Sequence, residues 1–161
     1  MLDKKPDKRI LVMKNQIYSI KDMFKAIKKT IEAQDFIYHE KEQTFKQDQY
    51  GRQITADFTG SDEMDEFASA EVLVKCKFSD VQEVKKGKKN LDHGDVEILI
   101  LPKVTFDYKN NWASSKFGEF LFKFWFDWFK DDDFKKKYLK PTQKRINAIY
   151  EELKKTVEYY Q

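Results

Sequence analysis

Between Ile54 and Tyr108 the chain alternates apolar and polar residues in three successive runs, and this alternation constrains the fold more than any other feature. Ile54, Ala56 and Phe58 share one parity against Gln53, Thr55 and Asp57. Val72, Val74, Cys76 and Phe78 alternate with Glu71, Leu73, Lys75 and Lys77, and Val96, Ile98, Ile100, Val104, Phe106 and Tyr108 again lie on one parity. A period of two sends successive side chains to opposite faces of a strand, so the runs predict a sheet with one buried face and one wet face. The segments between them, DQYG (48–51), GSDEMDE (60–66) and the basic KKGKKNLDHG (85–94), are short turn signals that suit antiparallel neighbours. The stretch from Phe36 to DQYG, rich in Tyr, Thr, Ile and Phe, reads as one more strand. Pro102 inside the last run argues for an edge position or a bulge there.

Helical spacing occurs on both sides of this block. Ser19 is placed to cap a helix in which Ile20, Met23, Phe24, Ile27 and Ile31 form one stripe, with lysines opposite. A short apolar run before it, Ile10 to Met13, reads as a strand. Near the C-terminus Ile146, Ile149, Tyr150, Leu153 and Val157 recur at helical spacing behind Pro141, which suits a first helical turn. Acidic residues 131–133 suit the positive end of a helix. The run FGEFLFKFWFDWF at 117–129 is read as a final strand, with Phe120, Phe122, Phe124, Phe126 and Trp128 on one face and Glu119, Leu121, Lys123, Trp125 and Asp127 on the other.

The expected architecture is therefore α+β: a curved antiparallel sheet of about six strands, a short N-terminal helix after strand 1, and a long C-terminal helix packed across the sheet. A single domain over residues 1–161 is expected, with 1–9 a frayed tail and 141–160 the terminal helix. Two amphipathic helices are the only elements able to cover the sheet's apolar face.

With 31 basic and 28 acidic residues the net charge is +3, a balance that argues against a dedicated nucleic-acid binder. The single cysteine excludes an internal disulfide and fits a reducing compartment. No apolar run approaches the roughly 18 residues of a membrane span, and MLDKKPDKR does not read as a signal peptide. The expectation is a cytoplasmic protein. His39 and His93 have no partner at metal-ligand spacing, Cys76 falls on an apolar parity, and no phosphate loop, dinucleotide motif or nucleophile elbow is present. Neither a metal nor a cofactor is expected.

This order of elements resembles the helix-grip fold of the START and Bet v 1-like superfamily, on architecture and not on a motif. The matching pieces are ILVM, SIKDMFKAIKKTIEA, the strands from Phe36 to Trp128 and the helix from Pro141. The chain departs from the family in showing six strands where seven are usual, and a single helix after the first strand. The resemblance implies an apolar cavity between sheet and terminal helix that binds or carries a small, lipid-like hydrophobic ligand. Its wall would comprise Phe106, Tyr108, Phe120, Phe122, Phe124, Phe126 and Trp128, and its lid Ile146, Ile149, Tyr150 and Leu153.

Two other readings compete with that one. In the first, the same rings are solid core, and the protein binds a protein partner, a second copy of itself or an anionic surface through Trp125 and the flanking basic residues Lys135–Lys137, Lys140, Lys144 and Arg145. In the second, a cyclase or dehydratase-like enzyme would need polar groups projecting into such a cavity, and Tyr108, Asp57 and His39 are the candidates. No residue set points to catalysis, and a binding protein is the expectation.

Overall fold

The computed structural model describes residues 2–109, 115–129 and 135–161, without the side chains of Leu2, Lys41 and 125–129. Six strands form one antiparallel sheet: β1 (Leu2–Lys4), β2 (Arg9–Tyr18), β3 (Ile37–Asp48), β4 (Gly51–Glu63), β5 (Ala68–Lys86) and β6 (Lys89–Phe106). Helix α1 (Ile20–Ala33) follows β2; α2 (Lys116–Phe129), a π-helical turn (Lys135–Leu139) and α3 (Lys140–Glu158) follow β6. The order across the sheet is β3–β4–β5–β6, with β1 and β2 placed one after the other along the far edge of β6.

The predicted parity is the observed one. Ile54, Ala56, Phe58, Val72, Val74, Cys76, Phe78, Val96, Ile98, Ile100, Val104 and Phe106 are buried on the inner face. Onto that face pack Met23, Ile27 and Ile31 of α1 and Ile146, Ile149, Leu153 and Val157 of α3. Ser19 caps α1 as expected, its Oγ accepting the Asp22 amide at 3.2 Å. Gly60 permits close packing of α1, because a Cβ there would stand 2.7 Å from Ile31 Cγ2 and 2.8 Å from Phe36 Cβ.

Two bulges, one in β2 and one in β5, line up across the sheet. β2 shifts register between Met13 and Gln16 and β5 between Ser79 and Gln82, and the β4 ladder registers the same β5 bulge between Arg52 and Ile54. Asn15 and Asp80, within the first two of these, take left-handed backbone at φ 53° and 54°. Facing them in β6 is Gly94, where a Cβ would meet Ser79 O at 2.7 Å. Bulges at one level of the sheet bend the strands that carry them and increase the local twist.

Pro102 sits at a local edge. β1 ends with Lys4 opposite Val104, and β2 begins with Arg9 opposite Ile100, so the ladder beside Pro102 is broken on that side.

Four expectations are corrected. First, residues 117–129 form a helix and not a strand, because β6 already has β5 on one edge and β1 with β2 on the other. Apart from the short break at 101–103, a following segment finds no free β6 backbone to pair with, and a helix satisfies its own amides internally. The even-numbered rings therefore do not share a face: Phe122 is buried while Phe120 and Phe124 are exposed. Phe126, Trp128 and Trp125 lie in α2, with side chains outside the described set. Second, the sixth strand is Leu2–Lys4, inside the segment expected to be frayed; it pairs with Val104–Phe106. Third, the turns after β4 and β5 are tighter than their polar sequences suggest, with β4 running to Glu63 and a two-residue turn at Gly87 and Lys88. Fourth, the terminal helix, expected over 141–160, begins at Lys140 directly behind a π-helical turn, Lys135–Leu139. The acidic residues 131–133 lie outside the described residues.

Candidate functional site

Helix α2 starts on a Ser115 cap, whose Oγ accepts the Gly118 amide at 3.1 Å. Lys123 pairs with Glu119 one turn earlier at 3.4 Å, the favourable i,i+4 arrangement with the acid toward the N-terminus. One face of the helix is anchored. Phe122, 4% exposed, meets Phe67 edge-on with ring centroids 5.8 Å apart. Phe67 also lies 5.7 Å from Phe106, which in turn meets Tyr138 of the π-helical turn at 5.3 Å.

Beside these rings, Asp65 organises the polar groups. Its Oδ1 accepts the Phe67 and Ala68 amides, each at 2.8 Å, and its Oδ2 accepts the Tyr138 hydroxyl at 2.7 Å. Tyr108 donates its hydroxyl to Asp65 O at 2.8 Å, and Lys137 approaches Oδ2 at 3.9 Å. Partial burial pushes the Asp65 carboxyl up, but the Tyr138 hydroxyl and the two amides outweigh it and hold the group below its ordinary value. Tyr138 is held above its ordinary value by burial and by the same carboxylate. The hydroxyl therefore stays a donor, and the π-helical turn stays tied to the sheet.

The opposite face of α2 is different. Phe117, Phe120, Leu121 and Phe124 stand at i, i+3, i+4 and i+7 and are 71%, 64%, 46% and 52% exposed. Phe120 and Phe124 stack with centroids 6.5 Å apart. A stripe at this spacing usually faces a core; here it faces outward. Lys116 and Lys123 are exposed on the same helix, and Lys109 and Lys135–Lys137 are exposed on the chain to either side of it. The segment from Lys109 to Lys140 holds eight lysines and five acidic residues, so its net charge of +3 equals that of the whole chain.

The eleven residues expected to line one cavity are thus divided. Phe106 and Phe122 meet in the ring cluster, and Tyr108 is tied to Asp65 beside it. Ile146, Ile149 and Leu153 are fully buried core on α3, and Tyr150 lies under the Arg9 guanidinium at 4.0 Å. Phe120 and Phe124 belong to the exposed stripe. Nor do Tyr108, Asp57 and His39 converge: Asp57 and His39 project from the outer face of the sheet, opposite Lys75 and Thr59 in their ladders, and Tyr108 stands beside Asp65. Asp92 and His93, inside the turn expected at 85–94, and Asp95 just beyond it all belong to β6. Asp92 receives Arg52 at 2.7 Å and the Ile20 amide at 3.0 Å, while Asp95 receives the Asn15 amide at 3.0 Å. Among the described residues no group of three or more His, Cys, Asp or Glu is placed to hold a metal ion. Cys76 is buried, and burial pushes its thiol up.

Sequence reasoning missed Asp65, Phe67 and Tyr138. Asp65 carried a legible signal, an aspartate two and three residues before the amides it caps. So did α2, in Ser115, in the Glu119–Lys123 spacing and in the i, i+3, i+4, i+7 stripe. No protein-family model matches the chain, and no curated protein matches it. No helix among the described residues is long and apolar enough to cross a membrane.

Proposed function

We propose that the protein is an interaction protein that docks on an anionic lipid surface through α2. The observation that carries this reading is the exposed stripe of Phe117, Phe120, Leu121 and Phe124 on a helix whose other side is fixed by Phe122. A helix with an apolar face and flanking lysines lies in the plane of a headgroup layer, with rings at the acyl boundary and ammonium groups at the phosphates. Each large side chain contributes roughly 1.5–3 kcal/mol on full burial; half-exposed, the four together offer about 4–6 kcal/mol before ordering costs. Lysines near the surface of such a membrane add about 1 kcal/mol each at low salt, less the repulsion from the acids in the segment.

A ligand cavity under α3 is a weaker reading, because Ile146, Ile149 and Leu153 are fully buried against the sheet. The scaffold is a sheet covered by helices, and we place the activity on α2, the segment that the helix-grip resemblance counted among its strands. The test is flotation with phosphatidylcholine vesicles with and without phosphatidylserine. Binding is expected only with the anionic lipid, falling with salt and lost in Phe120→Ser and Phe124→Ser while the circular dichroism spectrum is unchanged. Equal flotation of the variants would overturn the reading. A lipid-independent dimer broken by Phe120→Ser would assign the stripe to self-association instead.

A further inference from the structure

The outer face of the sheet carries a cleft of about 740 Å³, within the roughly 300–1,000 Å³ typical of small-molecule sites. Its origin is the interruption beside Pro102. Residues 5–8 leave the sheet there and form a loop held by two hydrogen bonds to α3. The Asp7 amide donates to Gln143 Oε1 at 2.7 Å, and Gln143 Nε2 donates to Asp7 O at 3.1 Å. This loop forms one wall, and His39 on β3 marks the other limit. From β6 to β3 the span is three strand spacings, about 14 Å.

The floor is apolar on a face that should be polar. Leu73 and Leu101 lie opposite one another across β5 and β6 and are half-buried, with Thr59 next to Leu73 on β4. The rim is mainly cationic or hydrogen-bond donating. It carries Lys5, Lys8 and Lys103, the His39 imidazole 3.4 Å from Ser61 Oγ, and the acids Asp7 and Glu71. Glu71 is already engaged by Lys103 at 2.9 Å. We propose that this cleft is a binding site for a small organic anion with an extended apolar body, such as an alkyl or aryl carboxylate. The apolar part lies over Leu73 and Leu101, and the carboxylate meets the lysines of the loop. The arrangement takes nothing from α2 and is independent of lipid docking.

The probe is decanoate below its micellar concentration, titrated into the full chain and followed by amide NMR shifts. Saturable shifts are expected at Thr59, Leu73, Leu101 and the 5–8 loop, unchanged in Phe120→Ser. Leu101→Glu, which places a charge on the half-buried floor at the outer face of the sheet, away from the core, should weaken binding roughly tenfold or more. Lys8→Gln should weaken it by a smaller factor, and decyltrimethylammonium, of the same length and opposite charge, should not compete. Shifts confined to residues 116–124, no saturation, or equal binding of the cation would overturn the proposal.

Discussion

Replacing Phe122 and Phe124 one at a time by alanine separates a helix at 117–129 from a strand. In a strand the two rings share a face and their losses match. In α2 they lie about 200° apart, and Phe122 is 4% exposed against 52% for Phe124. A phenylalanine buries roughly 150–250 Å², which at about 25 cal/mol per Å² gives about 4–6 kcal/mol for Phe122. This agrees with the 3–5 kcal/mol typical of Phe→Ala in a core. Phe124 keeps half its surface in water, and truncating it should cost only about 1–2 kcal/mol. With an m-value near 2 kcal/mol/M, urea midpoints should fall by about 2 M for Phe122→Ala and by less than 1 M for Phe124→Ala. Detachment of α2 without global unfolding would limit the first loss. Hydrogen exchange then supplies the second readout, with α2 amides losing protection in Phe122→Ala and keeping it in Phe124→Ala. Equal losses in the two variants, with equal protection, would refute the helix.

Three other outcomes follow from the geometry. Gly60→Ala should destabilise by about 1–3 kcal/mol in thermal melts, because its Cβ would press on Ile31 and Phe36. The Asp65 carboxyl is depressed in the folded state, so its stabilisation is complete above the ordinary value of 3.8 and is lost as pH falls through the lower folded value. Asp65→Asn should remove that part of the acid limb in melts recorded from pH 6 to 2. Cys76, buried and raised in pKa, should react with a thiol reagent only as fast as the protein opens, and at once in denaturant.

The sheet was legible because its cause is local and repeated. Alternation over Ile54–Phe58, Val72–Phe78 and Val96–Tyr108 needs only one buried face to have meaning, and every predicted inward residue is buried except Tyr108, which lies past the end of β6 and is half-buried. The same holds for α1, where Ser19 and a four-turn stripe agree, and for α3. The aromatic run was misread because rings occupy both parities and also helical spacing, so period alone did not discriminate. The exposed stripe on α2 was hidden by that error, and the Asp65 cluster by long separation in the chain: Asp65, Phe122 and Tyr138 meet only after β5, β6 and α2 are in place.

Residue pattern alone determined which residues face the core, where α1 begins and that two helices must cover one sheet, since burial of apolar surface acts on each element separately. Topology decided the rest. Because β1 and β2 take the far edge of β6, the next segment cannot continue the meander beside the strand it follows, turns helical, and shows one apolar face to the core and the other outward. Because Pro102 faces the break between those same two strands, the loop at 5–8 leaves the ladder and walls a cleft. Both candidate surfaces follow from which backbone edges were already occupied, a property of the assembled sheet that no single stretch of residues carries.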